Sequence, residues 1–197
     1  MIKVIIFDAD GVLINGDRFS DALARDYGIS TAITAPFFNG PFRDCLIGKA
    51  DLKEILTPYL HEWGWTKGLD AILDYWFEIG YNLDKELMDY VQELRAKGVL
   101  CLLSTDNEKY RFEHMLARMG FSKSFDKAYS SSLLGYKKIN PVAFQKIFDD
   151  LKGIEKKEIL FTDDDIQNIK CAQDFGIQAE LYTSRDDFRK KMLKYGL

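Results

Sequence analysis

Short apolar segments alternate with segments of helical periodicity along most of the chain. The first apolar run, at residues 4–7, is followed at once by polar residues. Between the apolar runs, the predicted helices end at glycines such as Gly98 and Gly120. This alternation predicts a mostly parallel sheet with helices on both faces. Four further runs have the character of strands: 99–104, 127–130, 158–162 and 178–182.

Residues 15–83 break this alternation because they contain no convincing strand. Their apolar spacing instead indicates helices, and a stretch rich in Phe, Pro and Gly indicates a loop. The predicted helices are 17–27, 49–61 and 67–79, and the predicted loop is 36–41.

The two patterns together predict an α/β fold made of two parts. Residues 1–14 and 84–197 form a Rossmann-like three-layer core with a parallel sheet, and residues 15–83 form an inserted α-helical cap. Because the insert leaves the sheet just after the first strand, we expect the cap to lie over the strand ends like a lid. Gly16 is the expected hinge.

The composition is that of an ordered globular protein, since 47% of the 197 residues are apolar and only four are proline. A net charge of −4 gives no support for nucleic-acid binding, which usually needs a basic surface. The chain reaches a charged residue at Asp8 and has no apolar run of membrane-spanning length, so we expect neither a signal peptide nor a membrane segment. Cys45, Cys101 and Cys171 are far apart, which is typical of buried, reduced thiols in a cytoplasmic protein.

The residues that indicate chemistry lie where the predicted strands end. Asp8 and Asp10 follow the first strand with one residue between them. Carboxylates this close repel each other and persist together only beside a cation or a shared proton. The carboxyl ends of parallel strands meet at one edge, where such folds bind their ligands. The other strand ends bring the Ser-Thr-Asp-Asn segment at 104–107, Lys137 with Lys138, and the three aspartates at 163–165.

Taken in order, these motifs resemble those of the haloacid dehalogenase-like hydrolase superfamily. The resemblance is to its phosphatase branch with an α-helical cap inserted after the first strand, and it covers nearly the whole chain. The matching positions are D-x-D-G-V-L at 8–13, Thr105, G-Y-K-K at 135–138, and T-D-D at 162–164 with Asn168. Each motif alone is weak, but their joint order and placement make the match specific.

The resemblance implies that Asp8 is the nucleophile and forms an aspartyl-phosphate. It also implies that Asp10 protonates the leaving oxygen and then activates water. Magnesium would offset the crowded negative charge and would be held by Asp8, the backbone carbonyl of Asp10, Asp163 and Asp164, the last either as a ligand or beside the ligands. Asn168 would orient this set, unless it lies on a solvated helix face.

The resemblance further implies that Thr105 binds a phosphoryl oxygen and that Lys138 neutralises the phosphoryl charge. Ser104 and Lys137 are the competing neighbours, and the spacing within each motif favours Thr105 and Lys138.

The predicted cap carries the remaining candidates. Arg43 and Lys49 are candidates for recognising the leaving group of the substrate. The alternative is that both lie on a solvated face. Trp76 and the other tryptophans are interpreted as packing residues, with a stacking platform as the lesser alternative. In the core, two residues depart from the family pattern: Asp106 replaces the usual Asn, and Ile139 replaces the usual Pro. Both put substrate positioning in question more than the chemistry.

The predicted function is therefore a magnesium-dependent phosphatase that acts on a small phosphorylated metabolite, with a sugar phosphate as one candidate. The alternatives are a phosphomutase of the same fold and a non-catalytic binding module. A dehalogenase of the same superfamily lacks the acid two residues after the nucleophile, so Asp10 argues against that branch.

Overall fold

The computed structural model describes residues 1–79 and 82–197. Its strands are β1 (Val4–Phe7), β2 (Leu100–Thr105), β3 (Lys127–Ser130), β4 (Ile159–Asp163) and β5 (Gln178–Leu181). They form one sheet in the order β3-β2-β1-β4-β5, and every neighbouring pair is parallel.

Helices precede and follow these strands. In chain order they are α1 (Phe19–Tyr27), α2 (Thr31–Asn39), α3 (Phe42–Cys45), α4 (Leu52–Glu62), α5 (Leu69–Ile79), α6 (Lys85–Ala96), α7 (Lys109–Ala117), α8 (Phe121–Ser124), α9 (Ser131–Leu134), α10 (Pro141–Asp149), α11 (Ile166–Phe175) and α12 (Arg185–Lys194).

The central strand β1 is buried on both faces. Ile5 and Phe7 contribute to one hydrophobic cluster with residues of α6, α7 and α12. Val4 and Ile6 contribute to a second cluster with residues of α10 and α11. Because successive strand residues point to opposite faces, helices cover the sheet on both sides. The predicted α/β, Rossmann-like three-layer core is confirmed.

The strand register gathers the polar residues at one edge of the sheet. Phe7 pairs with Leu103 on one side and with Thr162 on the other, so Asp8 emerges between the ends of β2 and β4. The predicted bounds of both flanking strands were one residue too early: Thr105 lies inside β2, where it pairs with Ser130, and Asp163 lies inside β4, where it pairs with Leu181. Strand β5 ends at Leu181, one residue earlier than predicted.

Helices α1 to α5, which we call the helical lobe, surround a third hydrophobic cluster. The rings of Phe19 and Trp76 stack there with centroids 4.3 Å apart. The two chain segments that join the lobe to the sheet lie side by side, since Asn15 N–H donates to Asn82 O at 2.8 Å and Asp84 N–H donates to Leu13 O at 2.9 Å. The division of the chain at 14/15 and 83/84 stays a prediction.

The predicted loop at 36–41 was wrong for its first four residues, because α2 continues through Pro36 to Asn39. A proline inside a helix removes a hydrogen bond and is costly. Here the next residue, Phe37, is fully buried and its ring packs edge-on against Trp63 at 5.5 Å, which supplies the compensating contact.

The helices of the lobe begin later than predicted. At α4 the reason is local: the Asp51 carboxylate accepts the Lys53 N–H at 2.8 Å, which makes Asp51 the N-cap and Leu52 the first helical residue. Helices α1 and α5 likewise begin at Phe19 and Leu69, two residues after the predicted starts.

The three cysteines differ in how deeply they are buried. Cys45 and Cys101 are buried as expected, and burial raises the thiol pKa of each to about 12. Cys171 is only half-buried, so the prediction was wrong for that residue. In the described part of the chain, no helix has the length and apolar character needed to cross a membrane.

Candidate active site

A buried lysine joins the ends of β1 and β4. The ammonium group of Lys138 forms ion pairs with Asp8 Oδ1 and, at 2.7 Å, with Asp163 Oδ2. Burial raises the pKa of Asp8 well above its ordinary range, although the lysine opposes the shift. Burial alone would lower the pKa of Lys138, but Asp8, Asp163 and Asp106 together raise it. The lysine therefore stays charged and holds the two carboxylates together.

Asp8, Asp163 and Asp164 form a compact carboxylate group. One oxygen from each lies within 4.8 Å of the others. The Asn168 amide donates to both oxygens of Asp163 at 3.2 Å, and the Asp165 N–H donates to Asp163 Oδ1 at 2.8 Å. Asn168 is thus buried against the acids rather than placed on a solvated helix face.

This group suits a hard divalent cation. Lys138 pairs with Asp8 and Asp163, so the three carboxylates together keep an excess of negative charge. Mg²⁺ in proteins is bound by oxygen donors such as these. The backbone also leaves room for the acids: Gly11 has φ of +85°, and a Cβ there would overlap the Asp164 carboxylate. The glycine of the first motif is therefore required both by its conformation and by its neighbour.

Asp10 is held apart from this group by two residues that the sequence analysis did not single out. Arg111 Nη2 donates to Asp10 Oδ1 at 2.6 Å, and Asn107 Nδ2 donates to Asp10 Oδ2 at 2.6 Å. Asn107 also donates to Thr105 Oγ1 at 2.7 Å. Asn107 belongs to the polar segment at 104–107 and Arg111 lies in the first turn of α7, so their contact with Asp10 depends on how the chain turns between β2 and α7.

The neighbouring candidates occupy distinct positions. Thr105 reaches Asp10 through Asn107, whereas Lys137 lies 3.8 Å from Asp106 and remains largely exposed. Asp106 Oδ1 accepts the backbone N–H of Lys138 at 3.0 Å, which joins the loop that carries this lysine to the end of β2. Burial raises the pKa of Asp106. Ile139, the other departure, is half-exposed.

A cavity of about 620 Å³ lies between these residues and the helical lobe. Asp10, Asp106 and Asp164 line its core side. The lobe and the segment that leads into it line the other side with four aromatic residues, Phe19, Phe38, Phe42 and Trp76, together with Gly16, Asp17, Arg18, Ser20 and Leu46. The predicted packing tryptophan Trp76 therefore also faces this cavity.

The structure places the two cap candidates elsewhere. Arg43 is exposed on α3 and does not line this cavity. Lys49 lines a separate cavity of about 290 Å³, on the side of the lobe that faces Tyr110. There the Tyr110 hydroxyl donates to Asp51 Oδ2 at 2.6 Å and ties α7 to the start of α4.

Solved structures of other proteins share this fold. A predicted hydrolase of the haloacid dehalogenase-like family from Porphyromonas gingivalis has a TM-score of 0.81 and 23% identity over 99% of this chain and 98% of that one. A family enzyme from Bacteroides thetaiotaomicron, solved in complex with magnesium and inorganic phosphate, has a TM-score of 0.79 and 23% identity over 94% and 96% of the two chains. At these identities the likeness establishes the fold.

A curated relative matches a smaller part of the chain. A drimenol cyclase of Aspergillus calidoustus is 25% identical over 114 residues, which are 56% of this chain and 21% of that protein. The chain thus spans about a fifth of the length of this relative.

The family model for haloacid dehalogenase-like hydrolases matches residues 2–176. This span contains the whole carboxylate group, Lys138 and the residues that hold Asp10. The chain belongs to the haloacid dehalogenase-like hydrolase family.

Proposed function

We propose that this protein is a magnesium-dependent phosphatase that hydrolyses a small phosphorylated metabolite through an aspartyl-phosphate on Asp8. The observation that carries the proposal is the second carboxylate, Asp10. It follows the nucleophile by two residues and is held at the cavity by Asn107 and Arg111. A phosphomonoester needs such a group because its leaving oxygen must take up a proton.

The first step forms a bond between an Asp8 carboxylate oxygen and phosphorus and breaks the bond from phosphorus to the leaving oxygen. Asp10 gives its proton to that oxygen, and the alcohol departs. In the second step water attacks the phosphorus of the aspartyl-phosphate and gives a proton to Asp10. Inorganic phosphate leaves, and the Asp8 carboxylate and the protonated Asp10 are restored.

Lys138 and Thr105 bind the transferred phosphoryl group in this proposal. Lys138 is already charged and touches Asp8, so it reduces the repulsion between the nucleophile and an anionic substrate. The Thr105 oxygen accepts a hydrogen bond from Asn107, which leaves its own proton free for a phosphoryl oxygen.

The metal would be held by Asp8, Asp163, Asp164 and the backbone carbonyl of Asp10. When bound, Mg²⁺ supplies positive charge that offsets the phosphate and the acids. The family enzyme from Bacteroides thetaiotaomicron, solved with magnesium and inorganic phosphate, supports the choice of magnesium as the metal.

The experiment is a screen of phosphorylated metabolites, with and without Mg²⁺, that measures released phosphate. Asp8→Asn should abolish release, whereas the matched control Asp165→Asn should retain it. The Asp165 side chain only caps α11, Asn is an equally good cap, and the backbone N–H that reaches Asp163 is kept. The same preparation is assayed on 2-haloacids without metal. Halide release with no phosphate release would overturn the proposal in favour of a dehalogenase, and formation of an isomer instead of phosphate would favour a phosphomutase.

A further inference from the structure

Among the described residues that line the large cavity, Arg18 is a cation without a partner. It directly precedes α1, its side chain is exposed, and no hydrogen bond or ion pair joins its guanidinium to another described residue. The second arginine of the lining, Arg111, is committed to Asp10 at 2.6 Å. Arg18 therefore offers the cavity a free guanidinium from the side of the lobe.

The carboxylates that line the cavity do not compete strongly for Arg18, because each has a partner or role of its own. Asp10 pairs with Arg111, Asp17 pairs with Arg25, Asp106 lies near Lys137, and Asp164 belongs to the proposed metal site.

The wall beside Arg18 is apolar. Phe38, Phe42 and Trp76 line it, and their rings pack on one another with centroids 5.3 to 5.5 Å apart. A cavity of about 620 Å³ holds much more than one phosphate group. The remaining space is therefore shaped for a leaving group that has an apolar body.

We propose, on the basis of the phosphatase function above, that the preferred substrate carries a second anionic group on its leaving group. Arg18 binds that second anion, a carboxylate or a second phosphate, while the aromatic wall contacts the apolar body. Arginine suits this role because its planar guanidinium group can donate two hydrogen bonds to a carboxylate or to a phosphate. Lys138 and Thr105, at the strand ends, serve the phosphoryl group that is transferred.

Three phenyl phosphates test this inference with leaving groups of nearly equal acidity. They are phenyl phosphate, 4-(carboxymethyl)phenyl phosphate and 4-(phosphonomethyl)phenyl phosphate. The measured quantity is kcat/KM for each with saturating Mg²⁺, in the wild type, Arg18→Ala, Arg18→Lys and the control Lys67→Ala. Lys67 is a cation of the lobe that lies over the rings of Tyr27 and Trp65, away from the large cavity.

We expect the wild type to prefer at least one anionic substrate over phenyl phosphate by about tenfold, the gain typical of one charge-assisted hydrogen-bonded pair at a partly exposed site. The preference should fall to about one in Arg18→Ala, recover in part in Arg18→Lys, and persist in Lys67→Ala. Which anionic substrate is preferred identifies the second group as a carboxylate or a phosphate.

Equal kcat/KM on all three substrates, or an unchanged preference in Arg18→Ala, would overturn the inference and leave the phosphatase proposal standing. Failure of the wild type on all three substrates, together with no phosphate release in the metabolite screen, would overturn both.

Discussion

The ammonium nitrogen of Lys138 lies 2.7 Å from the carboxylate of Asp163, and both side chains are almost completely removed from solvent. Asp8 contacts the same ammonium from the neighbouring strand. A buried charge pair of this kind contributes little net stability, but the loss of one partner is costly because it leaves the other charge unpaired.

Replacement of Lys138 by Met should therefore lower the free energy of unfolding by roughly 3 kcal/mol without metal. Added Mg²⁺ should restore part of this loss, since it would compensate the same carboxylates. Chemical denaturation with and without Mg²⁺ measures both effects. Lys137→Met is the control, because that lysine is largely exposed and should change stability little. Unchanged stability of Lys138→Met without metal would contradict the account.

Arg111 and Asn107 are expected to act on the reaction through Asp10. Arg111→Met should reduce kcat roughly 100-fold with a smaller change in KM, because a misplaced proton donor slows chemistry more than binding. Steady-state kinetics on any substrate found in the screen give the two constants separately. Lys109→Met, an exposed change on the same helix, should leave both unchanged. An effect of Arg111→Met on KM alone would assign Arg111 to substrate binding instead.

The contrast between Asp8 and Asp10 shows how far the sequence could predict the site. Asp8 and Asp163 follow or end buried apolar runs, and parallel strands deliver such residues to one edge, so their proximity was predictable. The partners of Asp10 were not, because Asn107 and Arg111 depend on how the chain turns between β2 and the first turn of α7.

The helical lobe was predictable only in outline. Its helical spacing is evident, but α2 passes through Pro36 because aromatic packing outweighs a local penalty. Arg18 lines the large cavity because of how the lobe packs against the sheet, and a local sequence pattern does not predict that packing. For the same reason the sequence pointed to Arg43 and Lys49, which lie outside the large cavity.

Gly11→Ala should weaken Mg²⁺ binding, because the added methyl group overlaps the Asp164 carboxylate. We expect the dissociation constant for Mg²⁺ to rise by about tenfold or more, the range seen when ligand orientation is disturbed. Isothermal titration calorimetry measures it directly. Gly28→Ala is the matched control: Gly28 also has positive φ but a Cβ there meets nothing, so it adds backbone strain without touching the acids. Equal Mg²⁺ affinity in the two variants would count against Asp164 as a ligand.

Tyr110→Phe should remove the hydrogen bond that joins α7 to Asp51 of the lobe. The loss should be about 1 kcal/mol at neutral pH. Tyr110 lowers the pKa of Asp51, so the stability from this bond is present above the unfolded pKa of Asp51 and is lost as pH falls through the lower, folded value. The difference between wild type and variant should thus be constant above about pH 5 and shrink below about pH 4.

Urea denaturation across this pH range measures the difference. Tyr59→Phe is the control, because its ring packs against Phe37 and no hydrogen bond of its hydroxyl to another described residue is present. A Tyr110→Phe difference that persists unchanged in acid would show that the hydroxyl acts by some route other than the Asp51 carboxylate.

In the proposed reaction, Asp8 carries the phosphoryl group during turnover. Acid quenching of the enzyme with substrate and Mg²⁺, followed by peptide mass spectrometry, detects such an intermediate directly. We expect a phosphoryl group on the peptide that contains Asp8, at the position of that residue, and none in Asp8→Asn. Phosphate release that proceeds with no modified Asp8, or with the phosphoryl group on another residue, would contradict it.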